Sequence, residues 1–89
     1  MKSECPVKKR LKEARLRKGI SQKNLGILIG IDEFIASARM NQYETGKHIP
    51  DYLTLKKIAV VCNVPTAYFY AEDDDLANLL QNYYSATSK

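Results

Sequence analysis

Two cysteines, three prolines, four glycines and a single histidine stand among 89 residues. Cys5 and Cys62 are too few for a disulfide framework and lack metal-ligand spacing around them. Cys62 reads as a small buried hydrophobe and Cys5 as a frayed-end thiol. His48 has no Cys, Asp or Glu cluster at ligand or catalytic spacing, so it reads as a surface or capping residue and no metal is expected. Long apolar runs are missing: Ile58-Ala59-Val60-Val61-Cys62 is far short of the roughly 18 residues that span a bilayer. Lys2 is not followed by an apolar segment, so no secretory leader is expected and the cytoplasm is the expected compartment. No nucleophile–base pair, carboxylate dyad or Gly-rich phosphate loop is present, which argues against an enzyme and against any cofactor.

Sustained apolar–polar alternation is also lacking, and with it any strand signal. What is present is helical punctuation. Pro6 opens a helix that carries Val7, Leu11 and Ala14 on one face and ends at Gly19. Ser21 stands as an N-cap before Leu25, Leu28 and Ile29, and Gly30 closes that segment. Further helices are expected from Ala36 to Thr45 and from Tyr52 to Asn63, then a short one from Pro65 to Tyr70. The acidic residues Glu72, Asp73, Asp74 and Asp75 precede an apolar pattern from Leu76 to Tyr83, where they would complement the dipole of a sixth helix. Residues 85–89 are expected to fray. The expectation is one all-α domain over residues 1–89, with no linker and no repeat.

The net charge of +4 is unevenly spread. Residues 1–47 hold eleven Lys and Arg against five acids, a balance of +6, whereas residues 48–89 carry −2. Such asymmetry is what an N-terminal half facing a polyanion would show. Lys8, Lys9, Arg10 and Lys12 would add long-range attraction from the first helix, most of them simply solvated.

The stretch Ser21-Gln22-Lys23-Asn24-Leu25-Gly26-Ile27-Leu28-Ile29-Gly30-Ile31, followed by Met40-Asn41-Gln42-Tyr43-Glu44-Thr45-Gly46-Lys47, resembles the helix-turn-helix of the phage-repressor-like (XRE, or Cro-repressor) family. The resemblance covers residues 7–70, with the motif at about 21–46 and residues 71–89 as an added helix and tail. It implies a compact five-helix lambda-repressor-like domain with an additional C-terminal helix, acting as a small transcriptional regulator on double-stranded DNA. Gly26 stands where the family has Ala and the two motif helices cross closely. By the same resemblance Gln22 would hydrogen-bond a phosphate at a helix N-terminus, a place suited to anions, with Lys23 beside it. Arg15 and Glu44 would form a structural ion pair.

One segment departs from the family pattern. Between Ile31 and Met40 the chain holds about four residues more than expected, roughly 32–35, and these include Phe34 and Ile35. Phe34 or Ile35 is expected to fold back over Ile27 or Leu28. Counted backward from Glu44, Ser37, Ala38, Asn41 and Gln42 occupy the base-reading face, with Arg39 beside them. Asn41 and Gln42 have the amide geometry for adenine N6/N7. Arg39 could pair with guanine O6/N7, contact phosphate, or close onto Asp32 or Glu33. Thr45 and Lys47 follow where the chain would cross the DNA backbone.

One recognition helix spans few base pairs, and relatives bind as dimers on half-sites about one helical turn apart. The C-terminal third supplies an apolar and aromatic excess for a homodimer interface: Tyr68, Tyr70, Leu76, Leu79, Leu80 and Tyr83, with Phe69 and Tyr84 close by. Alternatively this helix packs on its own domain. The other function open at this point is an antitoxin-type protein that binds a toxin with this surface and represses its own promoter.

Overall fold

In the computed structural model, which describes residues 5–87, the chain folds into five α-helices and one short 3-10 helix. They are α1 (Val7–Lys18), α2 (Gln22–Leu28), α3 (Ala36–Thr45), α4 (Tyr52–Cys62), the 3-10 helix Thr66–Tyr70, and α5 (Asp74–Thr87). Local chemistry sets most of the boundaries. α1 stops at Gly19, whose φ of 79° is left-handed and whose N–H returns to the Arg15 and Leu16 carbonyls. Ser21 Oγ accepts the Asn24 N–H at 3.0 Å, and Asp51 Oδ1 accepts the Thr54 N–H at 2.9 Å. The Thr54 amide also holds the Asp51 carboxyl below its ordinary value of 3.8. α4 ends one residue earlier than expected because Asn63 serves as its left-handed cap, with φ 59°. Residues 66–70 are 3-10 rather than α.

The core gathers Val7, Leu11 and Ala14 from α1, Leu25 from α2, Met40 from α3, and Leu55, Ile58, Ala59 and Cys62 from α4, closed by Tyr68 and Phe69. Burial pushes the Cys62 thiol up to about 11. α2 and α3 meet where Gly26 faces Ala36: a Cβ on Gly26 would lie 2.8 Å from Ala36 Cβ and 3.1 Å from its Cα. The crossing thus excludes even the alanine that the family pattern places there.

Four expectations are corrected. Tyr68, expected at an interface, is completely buried, because the 3-10 turn directs its ring inward, edge-on to Phe69 at 5.7 Å between centroids. Arg10 is only 2% exposed. It lies on the α1 face of Val7, Leu11 and Ala14, where its Nε donates to the Ala71 carbonyl at 2.9 Å and its Nη1 reaches Glu13 and Asp74 at 3.0 Å each. Phe34 is 90% exposed and Ile35 46%, so neither covers Ile27 or Leu28, which are themselves exposed. The reason is a turn closed on itself: Asp32 Oδ1 takes the Phe34 N–H at 2.9 Å, and the Asp32 carbonyl takes the Ile35 N–H at 3.0 Å. Finally, the tail expected to fray from Ser85 onward is helical as far as Thr87; residues 88–89 lie outside the described part.

α5 begins with Leu76 N–H on Asp73 Oδ1 at 2.8 Å. Ala77 is buried and Leu80 packs against the core, so one face of α5 lies on its own domain. Asp74 ties it to α1 through Lys9 and Arg10, at 3.2 and 3.0 Å. These two cations hold the Asp74 carboxyl below its ordinary value of 3.8. The neighbouring face leaves Leu76, Leu79 and Tyr83 exposed, with Tyr70 nearby in sequence and also exposed. No helix among the described residues is long and apolar enough to cross a membrane.

Candidate nucleic-acid interface

The site is built on α3, which α1 and α2 hold from behind. Ala36 and Met40 are fully buried and Tyr43 packs partly into the core. At 3.6 residues per turn this fixes which face looks outward. Ser37, Ala38, Arg39, Asn41 and Thr45 are exposed, and Gln42 is half-buried. Thr45 Oγ1 donates back to the Gln42 carbonyl at 3.3 Å, which leaves the hydroxyl lone pairs but not its proton for a ligand. Gly46, with φ 82°, ends the helix and turns the chain so that Lys47 and His48 follow it exposed.

Behind this face lies a hydrogen-bonded chain that the sequence only partly foreshadows. Arg15 pairs with Glu44 in a two-pronged contact, Nε to Oε2 at 2.5 Å and Nη2 to Oε1 at 3.1 Å, while its Nη1 donates to the Ile20 carbonyl at 3.0 Å. Both side chains are withdrawn from solvent, at 11% and 3% exposure. Gln22 Nε2 then donates to Glu44 Oε1 at 3.1 Å and to Asn41 Oδ1 at 3.3 Å. Both amide protons of Gln22 are therefore engaged inside the protein. In this state its side chain locks the start of α2 to α3, and what remains for an anion is the backbone N–H groups of the helix start. Lys23, beside it, is exposed.

Among the basic residues of α1, Arg10 and Arg15 are internal. Arg17 stacks over the Tyr68 ring at 5.9 Å and donates to its hydroxyl at 3.4 Å. Lys9 is paired with Asp74. Much of the N-terminal charge excess is thus structural, which composition alone could not reveal. The signal for Arg10 was present, since it falls three residues after Val7 on the apolar stripe. Among the described residues no group of three or more His, Cys, Asp or Glu is placed to hold a metal ion.

A helix pair joined by a turn, its second helix held from within and presenting polar side chains outward, defines the class. The helix-turn-helix family model matches residues 11–69, and the chain belongs to that family, in its XRE-type branch of DNA-binding transcriptional regulators. Among solved structures the chain is similar to the transcriptional regulator BswR, with 52% identity and a TM-score of 0.84 over 88% of this chain and 77% of that one. No curated protein matches it.

Proposed function

We propose that the protein binds a palindromic operator as a homodimer, with α3 of each protomer in the major groove, and regulates transcription by occupying that site rather than by catalysis. The observation that carries this reading is the division of α3 into a buried face of Ala36 and Met40 and an open face of Ser37, Ala38, Asn41 and Thr45. In this reading Asn41 and Gln42 pair with adenine edges, Arg39 with guanine or a phosphate, and Ser37 and Ala38 sit against base edges. Among the described residues no ion pair ties Arg39 to Asp32, whose carboxylate caps its own turn. Lys23, Lys47 and Thr45, with the amide end of α2 at Gln22, take backbone phosphates.

The second protomer docks on the exposed α5 face, where Leu76, Leu79 and Tyr83 follow at spacings of three and four, flanked by Tyr70 and Leu80. A buried aromatic and leucine core with a polar rim is the usual anatomy of such contacts.

In vitro selection from a random duplex pool tests the reading. It should return an inverted repeat with half-sites roughly 34 Å apart, or a multiple of that. Affinity for it should fall linearly with log salt in proportion to the phosphates neutralised. A pool that yields no motif, or binding that ignores salt, defeats the reading. A chain that sediments as a monomer in the presence of operator assigns the α5 face to a different protein, as in a toxin–antitoxin pair.

A further inference from the structure

The lengthened turn before α3 is tied down at both ends. Ile35 N–H bonds to the Asp32 carbonyl at 3.0 Å, and Arg39 N–H bonds to the Ile35 carbonyl at 2.9 Å, so the turn runs directly into the hydrogen-bond ladder of α3. The Asp32 carboxylate is turned back onto the Phe34 N–H. Phe34 therefore sits in a fixed turn two residues before α3 begins, at the leading end of the helix that exposes Ser37, Ala38 and Asn41. It is the most exposed large apolar side chain among the described residues, at 90%. A lone exposed apolar residue needs no explanation; one held by a closed turn at the leading end of a recognition helix, with the exposed Ala38 on that helix, has a specific chemistry. A phenyl ring and a methyl group cannot donate to a phosphate. Among the four bases in the major groove only thymine offers an apolar feature, its 5-methyl group.

We infer that Phe34, with Ala38, reads a thymine methyl at the leading end of the recognition helix, so that the inserted turn is a specificity element of this chain. The inference rests on α3 being the helix that enters the major groove. The test uses the selected operator with each thymine replaced in turn by deoxyuridine, and the full-length protein as wild type, Phe34→Ala and Gln42→Ala, with affinities read by fluorescence anisotropy. Wild type should lose about fourfold at one thymine of each half-site, the effect of leaving roughly one methyl's worth of apolar surface in water. Phe34→Ala should lose a similar factor on the unmodified operator and become indifferent to deoxyuridine at that position. Its melting temperature should match wild type, because the ring is in solvent. Wild-type affinity for Phe34→Ala, or an unchanged response to every deoxyuridine, overturns the inference. If Gln42→Ala is weakened in that case, α3 still reads bases and only the role of the turn is lost; if neither variant changes binding, the recognition-helix reading falls and the inference with it.

Discussion

Glu44 lies on the recognition helix, yet its surroundings make it a structural residue, paired with Arg15 as the resemblance implies. Its carboxylate, 3% exposed, receives Arg15 on both oxygens and Gln22 on one. Glu44→Ala leaves the Arg15 guanidinium buried without its counter-charge, and should lower unfolding free energy in urea by about 3–5 kcal/mol. A loss of DNA binding in this variant would therefore follow from the fold and would not identify a DNA contact. Gly26 is a second case in which the environment reverses a local preference. Alanine is favoured over glycine in a helix by about 1 kcal/mol, yet its Cβ would meet Ala36 Cβ at 2.8 Å and the Ala36 carbonyl oxygen at 3.1 Å. Gly26→Ala should be net destabilising, by roughly 1–3 kcal/mol, because the opposing backbone must move; thermal unfolding checks the sign. The two cysteines should also separate: Cys5 is exposed, whereas Cys62 is buried with its thiol pushed up to about 11. Thiol reagents at neutral pH should modify one site in the native protein and two after denaturation.

Among the elements, α2 and α5 depend on their first turns. Ser21→Ala removes the oxygen that satisfies the Asn24 N–H and should reduce stability by about 1 kcal/mol. It should also loosen Gln22, whose amide joins α2 to Glu44 and Asn41 on α3. α5 is held differently, by charge at one end and by Ala77 and Leu80 along its length. Lys9 and Arg10 depress the Asp74 carboxyl below its ordinary 3.8. Its contribution to α5 docking is thus complete above that unfolded value and is lost as pH falls through the lower folded one. Amide protection in α5, taken relative to the intrinsic exchange rate at each pH, should fall as pH drops below about 4, ahead of α1 and α4, and Asp74→Asn should weaken that pH dependence.

For the whole molecule, the decisive question is whether the exposed face of α5 joins two protomers. Leu79, 65% exposed, can be changed without touching the core. Leu79→Asp should therefore keep the helical spectrum but sediment as a monomer, and it should bind a single half-site far more weakly than wild type binds the full operator. An unchanged sedimentation coefficient would place the dimer contact elsewhere.

The periodicity of Val7, Leu11 and Ala14, the caps at Gly19, Ser21 and Asp51, and the Ser21–Ile31 pattern were enough to establish an all-helical fold and the two motif helices, because these signals are local and depend on the backbone of a few neighbours. The outward residues of α3 were legible for the same reason, once counted from Glu44. Only the tertiary structure decided where long side chains end. Arg10 and Tyr68 are internal because partners 61 and 51 positions away in the chain, Ala71 and Arg17, meet them there. Gln22 is engaged with α3 because helix crossing brings Glu44 to it. Phe34 faces water because Asp32 closes the inserted turn before the ring can reach Ile27 or Leu28. Each of these outcomes depends on contacts between segments or on the detailed path of one turn, and a hydrophobic pattern encodes which residues prefer burial without encoding which of them a given path can bury.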